Sequence, residues 1–219
     1  MTDLKGRVVL IFGAGKGAGR ALAEAFAGLD AQVAVNDISP VNLDDLVQGS
    51  DGRIRAYPED VAKKMGVQSV INRVEDDFGQ IDVLVNHSAV EPHAPLLEMD
   101  EWDWHRVLDV NLTGAFLAMQ SVGRVMRPRG SGVMFNLIGM RASRAGQEAA
   151  YAASMYGLIA LTQAAAHELA PYGIFVHAVG HGIPQFHNAD PAVPKDLVGA
   201  ILHLCGSSLS GQIVNVEAA

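Results

Sequence analysis

The chain has 219 residues, a formal net charge of −8 at pH 7, 49% hydrophobic residues and 18% charged residues. These values predict a single domain over residues 1–219 and exclude the disordered and fibrous classes. An acidic chain without clustered Lys and Arg has no surface for phosphate backbones or anionic lipid, so we expect neither nucleic acid nor a membrane as a partner. Cys205 is the single cysteine, which excludes an intrachain disulfide and favours a cytoplasmic location.

Short β-branched runs alternate with longer helical patterns along the chain. Strands are predicted at residues 8–12, 33–35, 53–56, 83–85, 133–135, 175–179 and 213–216. Helices are predicted at residues 17–27, 63–78, 102–126, 149–169 and 195–204. Continuous apolar strands are buried on both faces, so this order predicts an α/β fold, a doubly wound Rossmann-like domain. Its parallel sheet has about seven strands, with helices on both faces.

A glycine-rich turn follows the first predicted strand and leads directly into a helix. It contains Gly13, Gly15, Lys16, Gly17 and Gly19. Glycines let the backbone approach a pyrophosphate closely, and the helix N-terminus supplies unpaired N–H donors with a partial positive charge. The turn therefore predicts a dinucleotide site, with a tight turn that binds nothing as the alternative.

An acidic residue, Asp37, follows the second predicted strand. A carboxylate at this place in a dinucleotide site binds the adenosine ribose hydroxyls and repels a 2′-phosphate. Asp37 would instead have a purely local role if it only opened the turn that ends at Pro40. Lys16 argues for a 2′-phosphate, but Asp37 is expected to face the ribose directly. NAD is therefore favoured over NADP as the cofactor.

Further landmarks follow in a fixed order along the chain. They are Asp60-Val61, Asn86-His87-Ser88-Ala89, Asn111 within Val110-Asn111-Leu112-Thr113-Gly114, Tyr151 within Tyr151-Ala152-Ala153-Ser154-Met155, and the tail Gly211-Gln212-Ile213-Val214-Asn215-Val216. Together with the glycine turn, they resemble the short-chain dehydrogenase/reductase family over nearly the whole chain. The resemblance implies an adenine contact for Asp60 and Val61, a cofactor floor supported by Asn86, a water relay held by Asn111, and Tyr151 as general acid or base.

Two catalytic groups that the resemblance implies are absent. The family has Lys four residues after the tyrosine and Ser thirteen residues before it, where this chain has Met155 and Ile138. Loss of one aligned hydrogen-bond donor typically costs about 10²- to 10³-fold in rate. We therefore expect, at best, a weak carbonyl reductase with Tyr151 as proton donor. The alternative is a catalytically inactive nucleotide-binding subunit with a structural or regulatory role.

Two histidines are candidates to replace the missing cation, because a protonated imidazole carries a positive charge. They are His87 and His181, and His181-Gly182 stands where the family usually has Pro-Gly. Two His at the spacing of His177 and His181 on a strand lie about 13 Å apart, too far to share a metal ion, so no metal is expected.

The substrate side of the predicted site is less well defined than the cofactor side. The substrate loop at about residues 182–194 is short compared with the helical lid that the family typically carries. The expected substrate is a small carbonyl or hydroxyl compound that the sequence does not identify. The resemblance also implies that the helices at 102–126 and 149–169 pack across subunits, so we expect a homodimer or homotetramer.

Overall fold

A computed structural model describes residues 4–139, 149–183 and 192–217 of the chain. Its strands are β1 Val8–Phe12, β2 Gln32–Asn36, β3 Ile54–Ala56, β4 Val83–Asn86, β5 Gly132–Gly139, β6 Ile174–His181 and β7 Ile213–Asn215. They form one parallel sheet in the order β3-β2-β1-β4-β5-β6-β7. The predicted fold class and all seven strands are confirmed.

The helices lie on both faces of this sheet. They are α1 Gly17–Gly28, α2 Val41–Gln48, α3 Lys64–Phe78, α4 Glu101–Leu108, α5 Gly114–Met126, α6 Ala149–Leu169 and α7 Leu197–Cys205. The sequence did not predict α2, because this helix of eight residues buries only Leu43 and Leu46 and so has little apolar periodicity. Within the described ranges, no helix is long and apolar enough to span a membrane.

The long helix predicted over residues 102–126 is interrupted in the structure. A π-helical segment, Asp109–Thr113, separates α4 from α5. The apolar pattern runs through this segment without a break, so periodicity alone does not reveal it. Such π-helical turns occur often at functional sites, and this one carries the buried Asn111.

Apolar side chains fill the space between the sheet and each helical layer. One core lies between the sheet and α1, α2 and α7, and includes Phe26 and Phe135. The other lies between the sheet and α3, α5 and α6, and includes Ile71 and Met126. Full burial of one such side chain contributes about 1.5–3 kcal/mol, so these two layers hold the sheet rigid.

The strand order reverses between β1 and β4, which are neighbours in the sheet although β2 and β3 separate them in the chain. In an open parallel sheet, ligands bind at the carboxyl ends of the strands beside such a reversal. The glycine turn follows β1 here, Asp37 follows β2, and His87 follows β4. The fold thus gathers most of the predicted cofactor residues at one edge of the sheet.

Candidate active site

The glycine turn passes very close to the backbone after β4. Gly13 has φ +82°, and a Cβ added to it would lie 2.5 Å from the backbone nitrogen of Ser88. The N–H groups of Gly13 and Ala14 donate to the Asn36 carbonyl oxygen at 2.9 and 2.8 Å. Glycine is therefore required at position 13 for both conformation and space.

The start of α1 has no side-chain cap, like the starts of α2 and α3 and unlike those of α4 and α7. Asp100 and Asp196 cap α4 and α7 by accepting hydrogen bonds from backbone N–H groups, whereas the Lys16 side chain forms no such bond at the start of α1. Gly17 and Gly19 lie in this uncapped first turn. Its N–H donors are left for an anionic ligand, the environment that a pyrophosphate requires.

The Asp37 carboxylate lies between the glycine turn and α2. One oxygen accepts a hydrogen bond from the Gly15 N–H at 3.2 Å, and the other accepts from the Ser39 N–H at 3.0 Å and from Asn42 Nδ2 at 3.3 Å. A Cβ on Gly15 would overlap this carboxylate. Asp37 thus forms the local turn considered above. It also lines a crevice at the carboxyl ends of β1, β2 and β4, where a ribose is expected.

Asn36, the last residue of β2, holds the segment after β3 against the end of β2. Its Nδ2 donates to the carbonyl oxygens of Tyr57 at 2.8 Å and Glu59 at 3.1 Å, which fixes the segment that leads to Asp60. Asp60 accepts a hydrogen bond from the Ala62 N–H at 3.0 Å and forms an ion pair with Lys63 at 3.4 Å. Asp60 and the neighbouring Val61 both border the crevice.

The crevice has a volume of about 440 Å³ and fits the adenosine part of a nicotinamide dinucleotide. Three observations support the fit: the uncapped start of α1, the close backbone at Gly13, and the buried Asn36 Oδ1, which has no hydrogen-bond partner among the described residues. Several wall residues belong to none of the motifs described above. They are Asn36, Asn42, Trp102, His105 and Arg106. The wall residues on α4 are distant in sequence from the glycine turn, so only the tertiary fold brings them to the crevice.

His87 supports the glycine turn. Its Nδ1–H donates to the Gly13 carbonyl oxygen at 2.8 Å, and a Cβ on Gly19 would lie 2.7 Å from the same nitrogen. Burial lowers the pKa of His87 below its usual value, although the bond to Gly13 acts in the opposite direction. Burial therefore disfavours the charged form of His87, which argues against His87 as a replacement for the family's lysine.

Asn86 belongs to a buried polar network beneath the crevice. Its Nδ2 donates to Asn136 Oδ1 at 2.9 Å, and Asn136 Nδ2 donates to Thr162 Oγ1 at 2.9 Å. Thr162 donates in turn to the Leu158 carbonyl oxygen at 2.7 Å. The Asn86 amide therefore fixes β4 against β5 and α6, which makes it a support of the crevice floor.

The Asn111 side chain uses its hydrogen-bonding groups within the fold. Its Oδ1 accepts from the Val90 N–H at 2.8 Å, and its Nδ2 donates to the Val90 carbonyl oxygen at 3.1 Å and to Ser154 Oγ at 3.0 Å. Ser154 donates to the Tyr151 carbonyl oxygen at 2.7 Å. Asn111 therefore links the segment after β4 to the first turns of α6.

Tyr151 and His181 border one small space at the ends of β5 and β6. A Cβ added to Gly139 would lie 3.0 Å from the Tyr151 hydroxyl, 3.6 Å from His181 Cε1 and 4.0 Å from His181 Nε2. Gly139 and His181 are paired residues in the sheet. The phenol and the imidazole thus meet at the same edge of the sheet as the crevice.

Known proteins that are similar to the chain belong to one family. A family profile described as enoyl-(acyl carrier protein) reductase matches residues 13–197. A 3-oxoacyl-[acyl-carrier-protein] reductase from Synechocystis is 32% identical over 99% of this chain and 98% of its own length. D-threitol dehydrogenase from Mycolicibacterium smegmatis is 35% identical over 80% of this chain and 69% of its own length. The chain belongs to the short-chain dehydrogenase/reductase family.

A solved structure agrees with this assignment. The NAD⁺-bound xylitol dehydrogenase has a TM-score of 0.85 and 27% sequence identity, and the match covers 98% of this chain and 99% of that one. The predicted relation to NAD(P)-dependent oxidoreductases is therefore confirmed. Members of this family bind NAD(H) or NADP(H).

The position of the missing serine in this family member needs a correction of one residue. Counting back from Tyr151 gives Ile138, but the Ile138 side chain is 2% exposed and buried in an apolar cluster with Met155, Leu158 and Ala178. Gly139 is the position from which a Cβ would reach the Tyr151 hydroxyl. Counting assumes a fixed length for the intervening segment, whereas the sheet decides which side chain faces the tyrosine.

Other expectations fall partly outside the described residues. The substrate loop predicted at about residues 182–194 lies mostly within residues 184–191, which the structure does not describe. In the described part of the chain, no group of three His, Cys, Asp or Glu side chains is placed to hold a metal ion.

Proposed function

We propose that this short-chain dehydrogenase/reductase binds NAD(H) in the crevice and slowly reduces a small carbonyl compound, with Tyr151 as proton donor. The observation that carries the proposal is the position of the Tyr151 hydroxyl, which lies beside Gly139 at the carboxyl ends of the strands, where the glycine turn also lies. A carbonyl oxygen placed there would receive the phenol proton directly.

The proposed reaction needs little from residues that the chain lacks. When bound, the reduced nicotinamide supplies a hydride to the carbonyl carbon. Tyr151 transfers its hydroxyl proton to the carbonyl oxygen, which gives the alcohol, and the tyrosinate then takes a proton from water. Reduction requires a protonated phenol, the ordinary state of tyrosine at pH 7. Oxidation requires tyrosinate, which the uncharged Met155 does not stabilise, so reduction is the favoured direction.

The same crevice supports NAD(H) over NADP(H). The Asp37 carboxylate is held in place by Gly15, Ser39 and Asn42, so it stays at the crevice wall and repels a 2′-phosphate. Lys16 also borders the crevice and acts in the opposite direction. Asp37 is the fixed charge of the two, because no hydrogen bond to a described residue fixes the Lys16 ammonium.

A second candidate is a cofactor-binding subunit without turnover. The specific observation in its favour is that Met155, at the family's lysine position, is 2% exposed in an apolar cluster, while Gly139, the position that faces the Tyr151 hydroxyl, has no side chain. Neither position supplies a polar group that could act on a substrate. This reading keeps the crevice and gives up hydride transfer.

We also propose a homodimer or homotetramer. Phe116 on α5 is a large apolar side chain that is 42% exposed. In the family the matching helices pack across subunits, and a second copy of the chain would cover this side chain. Light scattering over a concentration series tests this, and a monomer at every concentration contradicts it.

The experiment that tests the proposed function is thermal unfolding with NADH or NADPH, followed by turnover assays. A ligand at a hundred times its dissociation constant adds about 2.7 kcal/mol of stability. The carbonyl panel should include a ketose and a 3-oxoacyl thioester, because relatives are named for a polyol and for 3-oxoacyl substrates. Stabilisation with NADH and slow reduction support the reductase. Stabilisation without turnover supports the second candidate, and no stabilisation contradicts both.

A further inference from the structure

We propose that His181 is a catalytic residue that donates a hydrogen bond to the reacting carbonyl oxygen beside Tyr151. It would take the place of the hydroxyl group that Gly139 lacks. The inference rests on the proposed carbonyl reduction and adds a second group to its active site. It concerns the arrangement of three residues of this chain, Gly139, Tyr151 and His181.

The Tyr151 and His181 rings both lie close to Gly139. A Cβ at Gly139 would be 3.0 Å from the Tyr151 hydroxyl and 3.6 Å from His181 Cε1, with His181 Nε2 at 4.0 Å. The two rings therefore approach the same point from different elements, α6 and β6. Gly139 puts no side chain between the two rings, and the proposal places the carbonyl oxygen of the substrate beside them.

Hydrogen bonds hold the backbone around His181 in place. The Val216 N–H donates to the Gly180 carbonyl oxygen at 2.6 Å, and the Ile183 N–H donates to Asn215 Oδ1 at 3.2 Å. These bonds tie the residues before and after His181 to β7 and the segment after it. A donor fixed before the reaction stabilises developing charge without reorganisation.

Among the described residues, the His181 side chain has no hydrogen-bond partner, whereas the other polar candidates, His87 and Ser154, are hydrogen-bonded within the fold. The half-buried His181 side chain forms no hydrogen bond with a described residue. His87 is bonded to Gly13, and Ser154 is bonded to Asn111 and Tyr151. His181 is thus a free nitrogen donor beside the phenol within the described ranges.

The chemistry needs no additional reactant. As the hydride reaches the carbonyl carbon, negative charge grows on the oxygen, and an imidazole N–H pointing at it forms a stronger hydrogen bond. The proton that the oxygen keeps comes from Tyr151, and His181 retains its own. His181 therefore lowers the barrier without changing the products.

The test is a set of four variants assayed with NADH and the best carbonyl of the panel. His181→Ala should lower kcat by about 10²- to 10³-fold, with the NADH-induced rise in Tm unchanged. Adding Gly139→Ser to His181→Ala should restore at least part of the loss, because a hydroxyl then faces Tyr151. Adding Gly139→Ala instead should restore nothing. His203→Ala, an exposed histidine on α7, is the control and should leave kcat unchanged.

The outcomes separate this inference from the proposed function. Turnover by the wild type that is unaffected by His181→Ala overturns the inference and leaves the reductase standing. A loss in His181→Ala that comes with a lower Tm or no NADH stabilisation also overturns it, because His181 then acts through the fold. No turnover by the NADH-stabilised wild type overturns the proposed reductase and the inference together. The expected kcat loss with rescue by Gly139→Ser supports both.

Discussion

The two ends of the candidate active site are built differently. At the glycine-turn end, backbone N–H groups and the Asp37 carboxylate surround the crevice, and Asn36 holds its wall together. At the Tyr151 end, Gly139 has no side chain, and Ile138 and Met155 are packed in an apolar cluster. Cofactor binding depends mainly on backbone shape and one carboxylate, whereas catalysis depends on individual side chains. The two can therefore diverge separately in one fold.

The largest effect on turnover is expected from a substitution of Tyr151. Tyr151→Phe should reduce carbonyl turnover by about 10²- to 10⁴-fold, because it removes the proton donor. The NADH-induced stabilisation should stay the same, since the crevice is untouched. Tyr156→Phe is the matched control on the same helix, where Tyr156 is 46% exposed and should be neutral. Equal turnover by Tyr151→Phe and the wild type would place the proton donor elsewhere.

Carbonyl turnover should increase when the two missing catalytic groups are restored near Tyr151. Gly139→Ser with Met155→Lys should raise kcat by about 10²-fold or more, because it adds a donor beside Tyr151 and a cation on α6. Ile138→Ser with Met155→Lys should give no such gain. Its Tm should be lower than that of the Gly139 variant, because a hydroxyl enters the apolar cluster in addition to the lysine that both variants share. If the Ile138 variant is the more active of the two, the assignment of the serine position to Gly139 is wrong. Single-turnover kinetics with NADH would measure the gain.

A buried histidine makes the sheet beneath the Tyr151 end sensitive to acid. His177 on β6 is fully buried and stacked on Phe135, with no hydrogen-bond partner for either ring nitrogen among the described residues. Burial lowers its pKa from 6.5 to about 4. The unfolded chain binds the proton between these values and the folded chain does not. The free energy of unfolding should therefore fall by up to about 3 kcal/mol as the pH drops from 6.5 to 4.

His177→Phe tests this acid sensitivity by urea unfolding at several pH values. The variant should lose most of the slope between pH 6.5 and 4 and gain stability at pH 7, because an unpaired buried polar ring is removed. The lowered pKa of His87 should leave a smaller slope in the same direction. His203→Gln serves as the exposed control. A slope that is identical in His177→Phe and the wild type would rule out His177 as its source.

The smallest effect is expected in cofactor choice. Asp37→Asn removes the charge and keeps one oxygen, which can still accept from the Ser39 N–H while the bond from the Gly15 N–H is lost. The preference for NADH over NADPH should therefore fall by about tenfold. Lys16→Ala should change the ratio of dissociation constants in the opposite direction. Fluorescence titrations at one ionic strength measure both. An unchanged ratio in Asp37→Asn would show that Asp37 acts only on the local turn.

Much of the fold could be predicted from apolar patterns alone. All seven strands were predicted because parallel strands buried on both faces appear as continuous β-branched runs, and the predicted bounds of α6 agree with the observed Ala149–Leu169. Short α2 was missed because it has few buried positions. The break at Asp109–Thr113 was missed because a π-helical segment leaves the apolar pattern intact.

Within the candidate site, the residues that belong to short motifs could be predicted from the sequence. The glycines, Asp37 and Tyr151 come from short motifs whose chemistry depends on neighbours along the chain, and the absence of Lys and Ser at the expected spacing was also readable. Contacts between side chains on different strands follow from the tertiary structure. In the fold, His87 is hydrogen-bonded to Gly13, and Gly139 lies beside both the Tyr151 hydroxyl and the His181 ring. Such contacts depend on strand register and side-chain direction, which spacing along one segment does not contain.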